Sequence, residues 1–243
     1  MNWNIQAGNF FFRYRNALFP IVFLLSLLVF RPQILLNNPW LDRVLGACGA
    51  VVALMGELVR LATVGFDYIE RGGKNRQVYA SRLVHGGIYG LTRNPMYVGN
   101  MLMVTGLCMA SGSVGATLFV IPFFLFVYQA IVSAEEAFLR HRFGSEYEEY
   151  CALVPRFLPS WRRIRDSFSG MRYNWRRAIR QDLSTIFMVL ISLTLLPLWR
   201  TYFLEGTPAA LERVPRTAGL ALTVLVFYGT FVYVKKTKRL FYS

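Results

Sequence analysis

The sequence predicts an all-α integral membrane protein with about six transmembrane helices and both termini in the cytoplasm. Of the 243 residues, 55% are hydrophobic, and the mean hydropathy is +0.38. Long apolar stretches alternate with polar segments, and 27 lysines and arginines against 13 acidic residues lie mainly between those stretches. Soluble domains do not carry such stretches, and basic residues between spans are typical of cytoplasmic loops.

The apolar stretches define six spans in chain order, at residues 17–36, 44–64, 95–110, 114–134, 183–204 and 218–234. The first lacks the small-residue cleavage site of a signal peptide, so we expect it to be retained. The third is about 24 Å long at 1.5 Å per residue, too short to cross a membrane without help. Ser111-Gly112-Ser113 predicts a tight hairpin between the third and fourth spans, and the fourth should continue as a helix beyond the membrane.

The basic residues set the predicted orientation. The N-terminus, residues 65–95, residues 135–182 and the C-terminus hold 21 of the 27. The positive-inside rule places these segments in the cytoplasm. We expect the membrane to be a bacterial inner membrane or an equivalent one, with lipid headgroups rather than nucleic acid as partners of the basic loops.

Few residues are available for metal binding or disulfide formation. Cys48, Cys108 and Cys151 lie far apart, and His85 and His141 are the two histidines. No zinc-type spacing results, so we expect neither a metal nor a disulfide.

One pair of charges lies inside a predicted span. Glu57 and Arg60 are i,i+3 neighbours on one face of the second span. Ionisable groups at membrane depth are paired or functional. The pair therefore predicts either a mutual ion pair or a ligand contact.

Two polar islands flank the central hairpin, and we expect them to meet at one membrane face. Residues 83–100 combine four glycines with Tyr89, Arg93 and Tyr97, and Pro95 suits the first turn of a helix. The N–H groups at that helix start would face a ligand. Residues 135–150 carry the second island, beginning with Glu135 and Glu136. We therefore expect a cytoplasmic cofactor site that is formed by the 65–95 loop and the 135–160 segment.

Beyond the second island lies a basic segment, 161–182, with seven arginines. Trp161, Ile164, Phe168, Met171 and Trp175 recur every three to four residues, which predicts an interfacial amphipathic helix or helix pair. A solvated basic linker is the alternative. The chain thus divides into a two-span anchor (1–64), a central module (65–160), this segment and a C-terminal two-span segment (183–243).

The central module resembles the isoprenylcysteine carboxyl methyltransferase family of membrane methyltransferases. The resemblance rests on Gly87-Ile88-Tyr89, on Arg93-Asn94-Pro95-Met96-Tyr97-Val98-Gly99, on Glu135-Glu136, on the Phe-Gly-Ser-Glu-Tyr-Glu-Glu-Tyr run at 143–150 and on Val154-Pro155-Arg156. It covers about a third of the chain. The ordered set is specific, although each piece alone is weak.

The resemblance implies a transferase that moves a methyl group from S-adenosylmethionine to a lipid or hydrophobic small molecule arriving from the bilayer. It implies catalytic roles for Asn94, Tyr97 and Glu135. The implied cofactor contacts are Lys74, Ser81, Arg82, Leu83, Val84, Tyr89, Asn94, Pro95, Met96, Tyr97 and Glu135. A carboxylate such as Glu135 can pair with the cofactor's ammonium group, and a helix start or Lys74 can bind its carboxylate. Methyl transfer depends more on an in-line approach of the acceptor atom to the methyl group than on acid or base catalysis.

Two positions depart from the family pattern. The family's histidine before the proline is Asn94 here, which hydrogen-bonds but does not titrate near neutral pH. An arginine linked to the acceptor carboxylate in eukaryotic members aligns with Ile131, which favours another acceptor. Ile131, Arg93 and Arg156 are therefore the positions that we expect near the acceptor.

Two other function classes stay open at this point. Membrane sterol reductases have a related C-terminal architecture but use NADPH, and they should offer more cationic contacts and a proton donor. A non-catalytic membrane scaffold is the other alternative. The retained Tyr97 and Glu135 favour the methyltransferase over the scaffold.

Overall fold

The computed structural model describes residues 3–66 and 77–237, and these ranges form helices joined by loops. The α-helices are α1 (Trp3–Val29), α2 (Pro39–Phe66), α3 (Pro95–Ser111), α4 (Val114–Phe143), α5 (Ser145–Leu153), α6 (Ile164–Phe168), α7 (Trp175–Glu205) and α8 (Thr207–Lys236). Short 3-10 turns cover Leu35–Asn37, Gly87–Gly90 and Trp161–Arg163. The prediction of an all-α architecture is confirmed.

Five of these helices, α1, α2, α4, α7 and α8, are long and apolar enough to cross a membrane. The sixth predicted span, α3, has 17 residues and reaches about 26 Å at 1.5 Å per residue. It packs against α2, α4 and α7. The chain is therefore a helical membrane protein with five full-length spans in its described ranges and one short helix held among them.

The first helix differs from its predicted bounds of 17–36. It begins at Trp3 and ends at Val29, because Pro32 disfavours helical geometry at Arg31. Its N-terminal half packs on α4, where Gly8 lies against the main chain of Ala130. A helix start set by packing against a distant helix leaves little hydropathy signal in the local sequence.

The predicted hairpin between α3 and α4 is present. Gly112 ends α3 in the left-handed region (φ 66°) and donates its N–H to Met109 O. Ser113 then caps α4 by accepting a hydrogen bond from Ala116 N at 3.2 Å. The Ser-Gly-Ser sequence thus supplies both a helix stop and a helix start.

Glycines allow α2 and α3 to pack closely. A Cβ atom at Gly99 would lie 2.8 Å from Gly56 O, and one at Gly106 would lie 2.7 Å from Ala53 Cα. Small residues at a helix crossing let two backbones approach in a membrane, where dispersion rather than hydrophobic exclusion drives association. This contact fixes α3 at the centre of the bundle.

Hydrogen bonds identify the two ends of the bundle. At one end, Asn174 N donates to Gly65 O at 2.9 Å, and Lys235 Nζ donates to Arg180 O at 3.2 Å. At the other end, Gln33 N donates to Gly112 O at 2.9 Å, and Arg200 pairs with Asp42. The first end also holds the loop before α3 and the segment after α5, so the two polar islands share one end.

The basic segment 161–182 is divided rather than continuous. A 3-10 turn and the five-residue α6 are followed by Gly170 in the left-handed region (φ 71°), and α7 already begins at Trp175. Within the segment, Arg177 Nη2 donates to Gly65 O at 2.7 Å and its Nε to Val64 O at 2.9 Å. Arg177 therefore caps the last turn of α2 and ties α7 to it.

Candidate active site

A cavity of about 1330 Å³ opens at the end of the bundle that holds both polar islands. The loop before α3 and the helices α1, α2, α3, α4 and α7 contribute to its wall. The residues that line it include Arg15, Asn16, Phe19, Phe23, Arg60, Ser81, Arg82, Leu83, Val84, Tyr89, Arg93, Asn94, Met96, Tyr97, Asn100, Leu107, Tyr128, Glu135, Glu136, Gln181, Ser184, Thr185, Met188 and Ser192.

The loop before α3 is hydrogen-bonded along the segment that follows α5. Arg93 N donates to Pro155 O at 2.9 Å, and Ser160 N donates to Leu91 O at 2.9 Å. Asn94 Nδ2 donates to Arg156 O at 3.0 Å. These bonds join the two islands, and they commit the Asn94 amide to holding the loop while the residue also lines the cavity.

Tyr97 and Glu135 form the polar contact at the cavity wall between α3 and α4. The Tyr97 hydroxyl donates to Glu135 Oε1 at 2.7 Å, and Arg15 Nη1 of α1 lies 3.4 Å from the same hydroxyl. Tyr97 is also packed beside Tyr128, with ring centroids 5.3 Å apart. Three helices therefore hold one carboxylate and one guanidinium beside a buried phenol.

Glu136, the neighbour of Glu135, faces a different set of partners. Arg156 donates to it at 3.1 Å from Nε and 3.0 Å from Nη2, and Arg93 Nη2 lies 3.6 Å away. Arg93 also contacts Cys151. Adjacent residues on a helix point about 100° apart, so Glu136 ties the loop and the post-α5 segment to α4 while Glu135 meets Tyr97.

Two tyrosines of α5 support the 3-10 turn at Gly87–Gly90. The Tyr150 hydroxyl donates to Tyr89 O at 2.8 Å, and Tyr147 and Tyr150 pack with Leu83. Burial raises the pKa of both phenols, so they remain protonated and can donate at neutral pH. The hydrogen bond from Tyr150 therefore helps to hold the turn that carries Tyr89.

The charged pair inside α2 forms the predicted ion pair, and Arg60 has further partners. Arg60 Nε lies 3.7 Å from Glu57 Oε2, and the guanidinium also binds Asn100, Asp182 and Thr185 Oγ1, the last at 3.1 Å. Arg60 lines the cavity as well. The ion pair thus belongs to a larger network that connects α2, α3 and α7.

Most of the predicted site residues lie on this one cavity. Its wall includes Ser81, Arg82, Leu83, Val84, Tyr89, Arg93, Asn94, Met96, Tyr97 and Glu135. Lys74 lies outside the described residues. Pro95 is buried at the first turn of α3 and is not part of the wall.

Two residues that we expected near the acceptor do not reach the cavity. Ile131 is fully buried in the core formed by α1, α3 and α4. Arg156 directs its side chain to Glu136 and Ser133 instead. Helix packing buries Ile131 away from the cavity, and the ion pair with Glu136 holds the Arg156 side chain away from it. Neither residue lines the cavity in this structure.

Sequence reasoning missed the walls contributed by α1 and α7. Arg15 is one of the basic residues that predict a cytoplasmic N-terminus, and nothing in the sequence indicates that it reaches Tyr97. On α7, Gln181, Ser184, Thr185 and Ser192 recur at helical spacing within an apolar span. This polar stripe could have predicted the wall that α7 contributes, because one polar face on a membrane helix indicates a cavity or a protein contact.

The cavity combines acidic, basic and apolar walls. Glu135 offers a carboxylate, Arg15 offers a guanidinium, and Leu83, Val84 and Tyr89 offer apolar and aromatic side chains. In the described ranges, no group of three or more histidine, cysteine, aspartate and glutamate side chains could hold a metal ion. The arrangement suits a zwitterionic ligand that also carries an aromatic ring.

The fold and this site define an integral membrane protein with a cavity at one end of a helical bundle. A family model for phospholipid methyltransferases matches residues 44–146. The chain is 33% identical over 157 residues to a cobalt-zinc-cadmium resistance protein, CzcN, of Cupriavidus metallidurans, covering 62% of this chain and 66% of that protein. No solved structure matches the chain with significance.

Further relatives are methyltransferases by name. A probable protein-S-isoprenylcysteine O-methyltransferase of Oryza sativa is 34% identical over 120 residues, covering 46% of this chain and 59% of that protein. Protein-S-isoprenylcysteine O-methyltransferase of Schizosaccharomyces pombe is 40% identical over 95 residues, or 39% of each chain. The chain thus spans between 39 and 66% of the length of these three relatives.

Residues 44–146 therefore resemble the phospholipid methyltransferases, and named relatives of the chain are isoprenylcysteine methyltransferases. The resemblance noted in the sequence is confirmed.

Proposed function

We propose that the protein is a methyltransferase that uses S-adenosylmethionine to methylate a lipid or hydrophobic small molecule. One observation carries the proposal: the Tyr97–Glu135 pair lies on the same cavity as Leu83, Val84 and Tyr89. The Tyr97–Glu135 pair can hold the amino acid end of the cofactor. The side chains of Leu83, Val84 and Tyr89 can hold its adenine.

The residues present fit such a cofactor. Glu135, fixed by the Tyr97 hydroxyl, can pair with an ammonium group, and Arg15 lies close enough to pair with a carboxylate. The start of α3, where Met96 and Tyr97 line the cavity, adds the positive end of the helix dipole. When bound, S-adenosylmethionine supplies an electrophilic methyl group.

The protein's part in the reaction is to bind and orient. Methyl transfer requires the acceptor atom to approach in line, so positioning dominates over proton transfer. Tyr97 orients Glu135, Tyr150 fixes the turn that carries Tyr89, and the apolar wall excludes water from the reacting end. We place the site on the cytoplasmic side, where the basic loops lie and the cofactor is available.

Calorimetry in lipid nanodiscs tests the proposal against its alternatives. We expect S-adenosylhomocysteine to bind with a micromolar dissociation constant and NADPH not to bind. Binding of NADPH alone would favour a reductase. The absence of binding by either ligand would favour a non-catalytic scaffold and overturn the proposal.

A further inference from the structure

Helices α2 and α7 carry the same two charges with the same spacing. Asp42 and Arg60 lie 18 residues apart in α2, and Asp182 and Arg200 lie 18 residues apart in α7. This spacing makes about five turns at 3.6 residues per turn, so the two charges of each helix lie on one face, about 27 Å apart. Such a face is complementary to an identical face on an antiparallel neighbour.

The structure contains this antiparallel match. Asp42 pairs with Arg200, and Arg60 pairs with Asp182, whose side chain is fully buried. Parallel packing in the same register would instead place aspartate beside aspartate and arginine beside arginine, which is costly where water is scarce. The repeated Asp–Arg pattern therefore favours one direction and one register of α7 against α2.

Each arginine also reaches the short helix α3. The Arg60 guanidinium donates to Asn100 Oδ1 in the first half of α3. Arg200 Nη1 lies 3.4 Å from Ala110 O, which it meets as a donor in the last turn of α3. The helix that is too short to span a membrane by itself is thereby held near both of its ends.

The cavity borders the Arg60–Asp182 pair and not the Asp42–Arg200 pair. Arg60, its partner Asn100 and Thr185 of α7 line the cavity, and Arg60 Nη2 donates to Thr185 Oγ1 at 3.1 Å. The Arg60 side chain thus forms part of the wall, while Asp182 balances its charge from within the protein.

Further contacts join this wall to the pair that we assign to the cofactor. Tyr128 of α4 interacts with Asn100, and its ring lies beside the ring of Tyr97, with centroids 5.3 Å apart. The Tyr97 hydroxyl in turn donates to Glu135. A chain of contacts therefore leads from Arg60 to the Tyr97–Glu135 pair.

We propose that the repeated Asp–Arg pattern aligns α7 with α2 and that Asp182 is thereby a positioning residue of the active site. Asp182 holds Arg60 against Asn100, and this contact fixes the part of α3 that carries Tyr97. The helix α7 lies outside residues 44–146, the segment that matches the family model, so a segment beyond that match completes the site. The positioning role rests on the proposed function, whereas the alignment of the two helices does not.

Thermal unfolding in nanodiscs tests the alignment. Asp182→Asn and Asp42→Asn should each lower the unfolding temperature by at least about 5 °C, because each leaves a buried arginine without its partner. The double variant of Asp182→Asn with Arg60→Gln should show less than the sum of the two single shifts, whereas the double variant of Asp182→Asn with Asp42→Asn should show the full sum. Unchanged unfolding temperatures, or additive shifts within the Arg60–Asp182 pair, would overturn the alignment.

Hydrogen exchange followed by mass spectrometry tests which part of α3 each pair holds. Asp182→Asn should speed exchange at least about threefold in peptides that cover residues 97–103, and Asp42→Asn should do so in peptides that cover residues 108–112. Equal effects of both variants on both parts of α3 would contradict the separate roles of the two pairs.

Calorimetry with S-adenosylhomocysteine tests the positioning role, with Asp42→Asn as the matched control. Asp182→Asn should lower the affinity at least about fivefold, while Asp42→Asn, which breaks the equivalent pair away from the cavity, should stay within about twofold of the wild type. A purely structural role of Asp182 predicts equal losses in the two variants. Equal losses, or wild-type affinity in Asp182→Asn, would overturn the positioning role.

The two proposals fail in different ways. Wild-type protein that does not bind S-adenosylhomocysteine would overturn the proposed function and the positioning role together, while unfolding and hydrogen exchange would still decide the alignment. If Asp182→Asn does not fold, Asp182→Glu and Asp42→Glu, which keep the charge and shift it by one methylene group, take the places of the two asparagine variants, with the same expected order of effects.

Discussion

At the scale of single residues, the account depends on how Tyr97 and Glu135 are held. Tyr97→Phe removes the hydroxyl that donates to Glu135 and contacts Arg15. Hydrogen bonds to charged groups contribute about 1.5–3 kcal/mol, so we expect S-adenosylhomocysteine affinity to fall about tenfold or more by calorimetry. Tyr233→Phe, at an exposed position of α8, is the control and should bind as the wild type does.

A second residue-scale prediction concerns Glu136. Glu136→Gln leaves Arg93 and Arg156 without their shared carboxylate in a poorly hydrated place. Removing one partner of a buried ion pair costs about 3–5 kcal/mol, so thermal unfolding in detergent should occur at a clearly lower temperature. In the exposed Arg140–Glu148 pair, Glu148→Gln should cost less than about 1 kcal/mol. Equal effects of the two variants would contradict the structural role of Glu136.

Sequence reasoning can separate Glu135 from Glu136, because helix geometry alone requires adjacent side chains to diverge. It could not place Ile131 or Arg156, whose surroundings depend on how α4 packs and on which carboxylate lies within reach. Their positions are set by contacts with α1 and Glu136, and the chain order contains no direct record of these.

At the scale of helices, the glycine contact between α2 and α3 determines where the start of α3 lies. Gly106→Leu would place a side chain against Ala53 and Gly49. Overpacking costs about 1–3 kcal/mol, and we expect a lower unfolding temperature together with weaker S-adenosylhomocysteine binding. Gly229→Leu on α8, where no atom lies within 4 Å, should alter neither quantity.

Helix bounds show which local signals are informative. Ser111-Gly112-Ser113 predicted the hairpin because a left-handed glycine and a serine cap act within a few residues. The start of α1 at Trp3 was missed, because its first turns are stabilised by α4 rather than by their own hydropathy. The polar stripe on α7 was visible in the sequence, but its partner, the cavity, becomes apparent only when α1 and α3 are assembled beside it.

At the scale of the whole molecule, the bundle has a basic end with the cavity and an opposite end closed by the Arg200–Asp42 pair. We predict that the basic end faces the cytoplasm. A cysteine introduced at Gly206, between α7 and α8, should react with a membrane-impermeant maleimide in intact cells. A cysteine at Gly170 should react only after permeabilisation, and the reverse pattern would contradict the orientation.

The central claim is that this cavity brings a methyl donor and a lipid acceptor together. The most direct measurement is transfer of tritiated methyl groups from S-adenosylmethionine into the organic-soluble fraction by the protein in nanodiscs, with Glu135→Gln as the paired variant. The account predicts labelled lipid with the wild type and a loss of at least about tenfold in the variant, because the cofactor's ammonium group loses its carboxylate partner. Label incorporated equally by both proteins, or no label while S-adenosylhomocysteine binds normally, would contradict it.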